Sequence, residues 1–158
     1  MTQPAARRIV PVARGAMPSE TVPSDLQPSV VRSDPWWREA VIYQVYVRSF
    51  ADGDGDGVGD LVGLTARLDH LTRLGVDGLW LNPCYPSPGA DHGYDVTDYM
   101  NIDERYGGLP ALDALLAAAH DRGLRVVMDL VPNHCSAEHP WFQAALAAPP
   151  GSPERERF

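Results

Sequence analysis

Two hydrophobic periods alternate along this chain. Ala40-Val-Ile-Tyr-Gln-Val-Tyr-Val47 is dense in β-branched and aromatic residues and predicts a strand. Leu61, Leu64, Leu68, Leu71 and Leu74 then recur at steps of three and four, marking one face of an amphipathic helix that Gly75 stops. Leu79-Trp-Leu81 predicts a short buried strand, and the prolines at 83, 86 and 88 make Asn82 to Gly89 a loop. Pro110 to Asp121 predicts a second helix, with Leu112, Leu115 and Leu116 inward and Gly123 as its stop. Leu124-Arg-Val-Val-Met128 predicts a third buried strand. The order strand, helix, strand, helix, strand implies an α/β fold with parallel pairing through right-handed crossovers. Past His134 the prolines at 140, 149, 150 and 153 leave mostly loop, with at most a short helix over Phe142 to Leu146.

Composition narrows what this fold serves. The 158 residues are 44% hydrophobic, enough for a core, and no apolar run approaches membrane-spanning length. A net charge of -8 argues against nucleic acid and anionic lipid and leaves neutral, small or cationic ligands. Residues 1–34 carry Pro4, Pro11, Pro18, Pro23 and Pro28 with no apolar signal-peptide core, so they read as a disordered leader and point to a cytoplasmic location. Cys84 and Cys135 are too few for a disulfide scaffold and are expected as free thiols. No Gly-x-Gly-x-x-Gly follows a strand, so dinucleotide binding has no support.

Three stretches carry candidate chemistry. In Asp52-Gly-Asp-Gly-Asp-Gly-Val-Gly-Asp60 the acids Asp52, Asp54, Asp56 and Asp60 alternate with glycines, and they repel one another unless a cation sits among them. Hard oxygen ligands suit Ca²⁺, with the Val58 carbonyl as a further ligand and Mg²⁺ as the competing occupant. The spacing copies the start of an EF-hand, but position twelve is Gly63 and a strand precedes the loop, so an EF-hand is rejected. Asp91-His-Gly-Tyr-Asp-Val-Thr-Asp-Tyr99 is polar and aromatic at once, as a sugar-binding surface is. Asp129-Leu-Val-Pro-Asn-His134 delivers Asp129, Asn133 and His134 where the third strand ends.

Together these motifs make residues 36–142 closely resemble the N-terminal part of the α-amylase family of glycoside hydrolases, nearest its α-glucosidase and oligo-1,6-glucosidase branch. The resemblance rests on Val41-Ile-Tyr-Gln-Val-Tyr46 with Arg48-Ser-Phe50, the Asp52 to Asp60 loop, Gly93-Tyr-Asp-Val-Thr-Asp-Tyr99, and Asp129 to His134, in that order. It implies a (β/α)₈ barrel with its site at the C-terminal ends of the strands. It also implies Ca²⁺ on Asp52, Asp54, Asp56, the Val58 carbonyl and Asp60, where relatives commonly have Asn in place of Asp54.

In the subsite for a non-reducing glucose, the resemblance has Asp91 accept sugar hydroxyls, Tyr94 stack on the ring and His134 donate to a hydroxyl. Asp129, with Asn133 beside it, supports the site by positioning neighbours. The family mechanism is retaining hydrolysis, whose nucleophile and acid/base are expected beyond Phe158, so no catalytic residue is assigned here. Roughly three of eight strands are present, which reads as an N-terminal fragment. Residues 35–134 would belong to the barrel and 135–158 to a domain inserted after the third strand.

The expected activity of the complete protein is hydrolysis of short α-glucosides, with this chain alone inactive and prone to aggregate. Isomerisation or transglycosylation of the trehalose synthase kind shares these motifs. A noncatalytic barrel used as a binding or scaffold module is the third alternative, and one that would have no use for Asp91, Tyr94 and His134.

Overall fold

The computed structural model of the protein describes residues 35–158. The proline-rich stretch expected as a leader lies outside the described residues. Three strands, β1 (Ile42–Val45), β2 (Gly78–Leu81) and β3 (Arg125–Met128), form one parallel sheet in the order β1-β2-β3. Helices α1 (Val47–Phe50), α2 (Leu61–Ala66) and α3 (Leu68–Leu74) link the first pair, and α4 (Gly108–Asp121) links the second. α5 (Pro140–Ala147) follows β3, and Phe142 on it meets Phe158 edge to face at 5.3 Å. No helix among the described residues is long and apolar enough to cross a membrane.

Register divides the sheet into two unlike faces. Val45, Leu81 and Met128 are partners, as are Tyr43, Leu79 and Val126. Because side chains alternate, these two rows share the face that packs with Leu61, Leu64, Leu68, Leu71 and Leu115. Gln44, Trp80 and Val127 make the opposite row, and there Trp80 and Val127 stay 40% and 45% exposed. The second and third strands were expected to be buried throughout. Only Gly78, Leu79, Leu81 and, just before β3, Leu124 are buried, since Trp80 and Val127 lie in the row opposite the face that packs on the helices.

The first predicted helix is bent into two. Leu61, Leu64, Leu68 and Leu71 are fully buried as the leucine spacing requires, but Leu74 is 58% exposed and Arg67 leaves helical geometry at φ -101° and ψ 0°. Two residues earlier the Thr65 hydroxyl donates back to the Leu61 carbonyl at 2.7 Å, a bond that bends helices. Gly75 ends α3 in the left-handed region at φ 83°, as its position predicts. The second predicted helix is present with its end at Asp121 as expected and its start two residues earlier, at Gly108, while α5 is longer than the expected Phe142 to Leu146, spanning Pro140–Ala147. Cys84 and Cys135 are free thiols.

Candidate functional site

The acidic loop leaves α1 and enters α2, and its carboxylates answer first to backbone amides. Asp52 accepts from the amides of Gly55 at 2.6 Å, Gly57 at 2.8 Å and Asp54 at 3.2 Å. The Gly55 amide foremost, then that of Gly57, holds the Asp52 carboxyl below its ordinary value. Asp60 is buried: one oxygen caps α2 by accepting from Gly63 N at 2.6 Å and the other accepts from Gly53 N at 3.0 Å. A side chain at Gly63 would collide with the Ala51 carbonyl, so this approach requires glycine.

Oxygens of Asp52, Asp54 and Asp60 lie within 4.8 Å of one another. Two oxygens on one Ca²⁺ stand at most about 5 Å apart, so one ion could touch all three. Each carboxylate offers about four lone-pair sites, and the amides leave some free. The donor set therefore fits a hard cation. Asp56 is not part of this group: its Oδ1 accepts from Val58 N at 2.7 Å, a local turn that draws it aside.

At the C-terminal ends of the strands the predicted sugar-binding residues converge on two loops. Asp91 is exposed, and its carboxylate takes no hydrogen bond among the described residues. The Tyr94 amide donates to the Asp91 carbonyl at 2.9 Å. His134 Nε2 lies 3.1 Å from the Tyr94 carbonyl, and its Nδ1 lies 3.2 Å from Asn133 Nδ2. An amide nitrogen only donates, so Nδ1 accepts and the ring proton sits on Nε2, aimed at that carbonyl. A sugar hydroxyl would have to take the place of the Tyr94 carbonyl as its acceptor.

Asp129 accepts from Trp80 Nε1 at 2.7 Å and from the Tyr94 hydroxyl at 2.8 Å, so both oxygens are engaged. Burial first, then the bond to Asp129, raises the Tyr94 phenol above its ordinary value. A cavity of about 570 Å³ opens beside this cluster, lined by His134, Asn133, Val131, Tyr99, His139 and Trp141 among others, while Asp91 and Tyr94 stand outside it. Cys84 is no nucleophile candidate: burial foremost, helped by Asp103 and Asp129, pushes its thiol up to about 12.

Two residues of the Asp91 to Tyr99 stretch that were assigned no role shape the site. The Tyr99 hydroxyl lies 2.8 Å from both the Val131 and His134 carbonyls and so anchors the loop bearing His134. Asp95 is buried in the Asp91 loop and accepts from Ser87 Oγ at 2.6 Å, Ala90 N at 2.8 Å and Asp91 N at 3.2 Å. Burial opposes its charge, yet these donors more than offset that, and the carboxyl falls below the ordinary aspartate value of 3.8. A depressed pKa stabilises the fold fully above that value, and the contribution is lost as pH falls through the folded one. The Ala90 amide resonance should accordingly titrate with an inflection below 3.8 and lose it in Asp95→Asn; an inflection at or above 3.8 would contradict the assignment.

Against known proteins, the chain is 51% identical over 123 residues to a glucan 1,6-alpha-glucosidase of Streptococcus dysgalactiae subsp. equisimilis, covering 78% of this chain and 23% of that protein. It is 57% identical over 108 residues to an alpha-glucosidase of Pediococcus pentosaceus, covering 68% and 19%. A solved trehalulose synthase in complex with Tris superposes with a TM-score of 0.75 at 47% identity, covering 78% of this chain and 22% of that one. The chain thus spans about a fifth of the length of the relatives it matches, and its three parallel βα units are a portion of a (β/α)₈ barrel. Residues 44–158 match the alpha-amylase catalytic domain, and to that family this chain belongs.

Proposed function

We propose that the chain carries sugar-binding strand ends of an enzyme that hydrolyses α-glucosidic bonds of short oligosaccharides with retention of configuration. The observation that carries this is the convergence of Asp91, Tyr94 and His134 on two adjoining loops, with the Asp91 carboxylate exposed and taking no hydrogen bond among the described residues. An ionised carboxylate accepts two hydroxyl protons at once, and a phenol ring held at its far end covers the apolar face of a pyranose. Relatives named as glucosidases at about half identity support the substrate class.

Retaining hydrolysis needs two carboxyl groups about 5–5.5 Å apart across the scissile bond. We assign neither to this chain. Asp129 has both oxygens occupied by Trp80 and Tyr94, and Asp95 turns its oxygens into its own loop. Ca²⁺, with Mg²⁺ as competitor, would be held by Asp52, Asp54 and Asp60 and would supply charge balance where the chain leaves α1.

A second reading, isomerisation of a disaccharide, is favoured by the likeness to trehalulose synthase. Incubating the complete gene product with maltose, isomaltose and sucrose and separating the products decides between them. Release of glucose of α configuration is expected. Trehalose from maltose or trehalulose from sucrose would move the assignment to isomerisation, and no turnover of any of the three would refute both.

A further inference from the structure

A chain of hydrogen bonds crosses the C-terminal ends of all three strands and terminates on Asp129. Gln44 Nε2 on β1 donates to Asn82 Oδ1 at 3.1 Å, and Asn82 Nδ2, just past β2, donates to the Tyr94 hydroxyl at 3.1 Å. That hydroxyl donates to Asp129 Oδ2 at 2.8 Å, while Trp80 Nε1 on β2 donates to Asp129 Oδ1 at 2.7 Å. The carboxylate dictates the sense of every link. An ionised carboxylate only accepts, so Tyr94 must donate to it and keep its lone pair for an amide nitrogen. Asn82 therefore presents nitrogen to Tyr94 and oxygen to Gln44. Flipping its amide would set oxygen against the phenol oxygen and nitrogen against the Gln44 nitrogen, two repulsions in place of two bonds.

Tyr94 has need of such a hold. It follows Gly93 at φ 100° and His92 at φ 53°, two successive left-handed residues in a loop without regular structure. The phenol oxygen lies on the χ2 axis, so its position alone fixes only χ1. The ring plane is set by the directions of the oxygen's two hydrogen bonds, to Asp129 and from Asn82, because conjugation keeps the phenolic O–H and the accepting lone pair near the plane of the ring. We propose that Asn82 and Trp80 are positioning residues, with Gln44 orienting Asn82, and that they act through the Tyr94 hydroxyl and Asp129 to set the ring plane against which the sugar stacks. This deepens the proposed function and rests on it for the sugar.

The test is a double-mutant cycle in the complete gene product. Asn82→Leu should lower kcat/KM for a short α-glucoside about tenfold, and Trp80→Phe, which removes the indole N–H donor to a charged group together with part of the ring, about ten- to a hundredfold. In a Tyr94→Phe background the further loss from Asn82→Leu should shrink to less than about twofold, since the group it acts through is gone. Equal losses in both backgrounds, or no loss from either single variant, would overturn the proposal.

Titration of the Tyr94 phenol, followed by NMR of its labelled ring, needs no activity. Asn82 donates to the phenol oxygen and favours its ionised form, so Asn82→Leu should raise the midpoint further. An unmoved midpoint would overturn the network. Absence of α-glucoside turnover in the parent protein, with the midpoint still displaced, would instead sink the proposed function and leave the network standing.

Discussion

Asp91→Ala in the complete gene product is expected to lower kcat/KM for a short α-glucoside by roughly 10²- to 10⁴-fold while leaving the unfolding temperature nearly unchanged. Two hydrogen bonds from sugar hydroxyls to an ionised carboxylate contribute about 1.5–3 kcal/mol each, and their joint loss converts to that range. The small stability effect follows from exposure: the carboxylate takes no hydrogen bond among the described residues, so its removal orphans no donor and opens no cavity. The loop keeps its shape because Asp95, not Asp91, holds the Ser87, Ala90 and Asp91 donors. Kinetics and calorimetry on the same variant check both halves. Unchanged kcat/KM would remove Asp91 from the sugar site, and a large fall in unfolding temperature would mean that it serves the fold.

What the chain shows of itself beforehand follows from the range of the interactions involved. Leucines at 61, 64, 68 and 71 announce their buried face because helical periodicity is local, and all four are fully buried. The bend at Arg67, two residues after the Thr65 hydroxyl donates to the Leu61 carbonyl, was not legible, since the leucine pattern runs across it without interruption. Strand burial was overestimated for Trp80 and Val127 because an apolar run does not say which of its faces receives a helix.

Site residues divide similarly. Asp129 stood out because it follows β3 directly, and His134 because it closes the same short polar stretch. Gln44 lies inside the Val41 to Tyr46 motif with no role assigned to it, Asn82 and Trp80 lie outside the motifs, and the significance of all three lies in bonds to residues 38, 12 and 49 positions away in sequence. One signal was available: Gln44 and Trp80 are polar or amphipathic residues in otherwise apolar strands, and the parallel register makes them neighbours.

Removing divalent cations should cost the complete protein stability, and Ca²⁺ should restore it. The acidic loop brings Asp52, Asp54 and Asp60 oxygens within 4.8 Å of one another, while their amide partners compensate the charge only in part and leave lone pairs free. A ligand bound only by the folded state stabilises it by about 2.7 kcal/mol at a hundredfold excess over Kd, a shift of several degrees in unfolding temperature. Mg²⁺, which holds its ligands at about 2.0–2.1 Å in near-ideal octahedral geometry and dehydrates reluctantly, should shift the transition less at equal concentration. Asp54→Ala separates the metal from the cap. Asp60 holds the start of α2 through Gly63 and its loss would destabilise the loop with or without an ion, whereas among the described residues Asp54 accepts only the Asp56 amide, 3.1 Å away. The Asp54→Ala protein should therefore unfold near the temperature of the chelated parent and gain much less from Ca²⁺. If chelated parent protein unfolds at the same temperature with and without either cation, the loop is held by its own amides and the metal assignment is wrong.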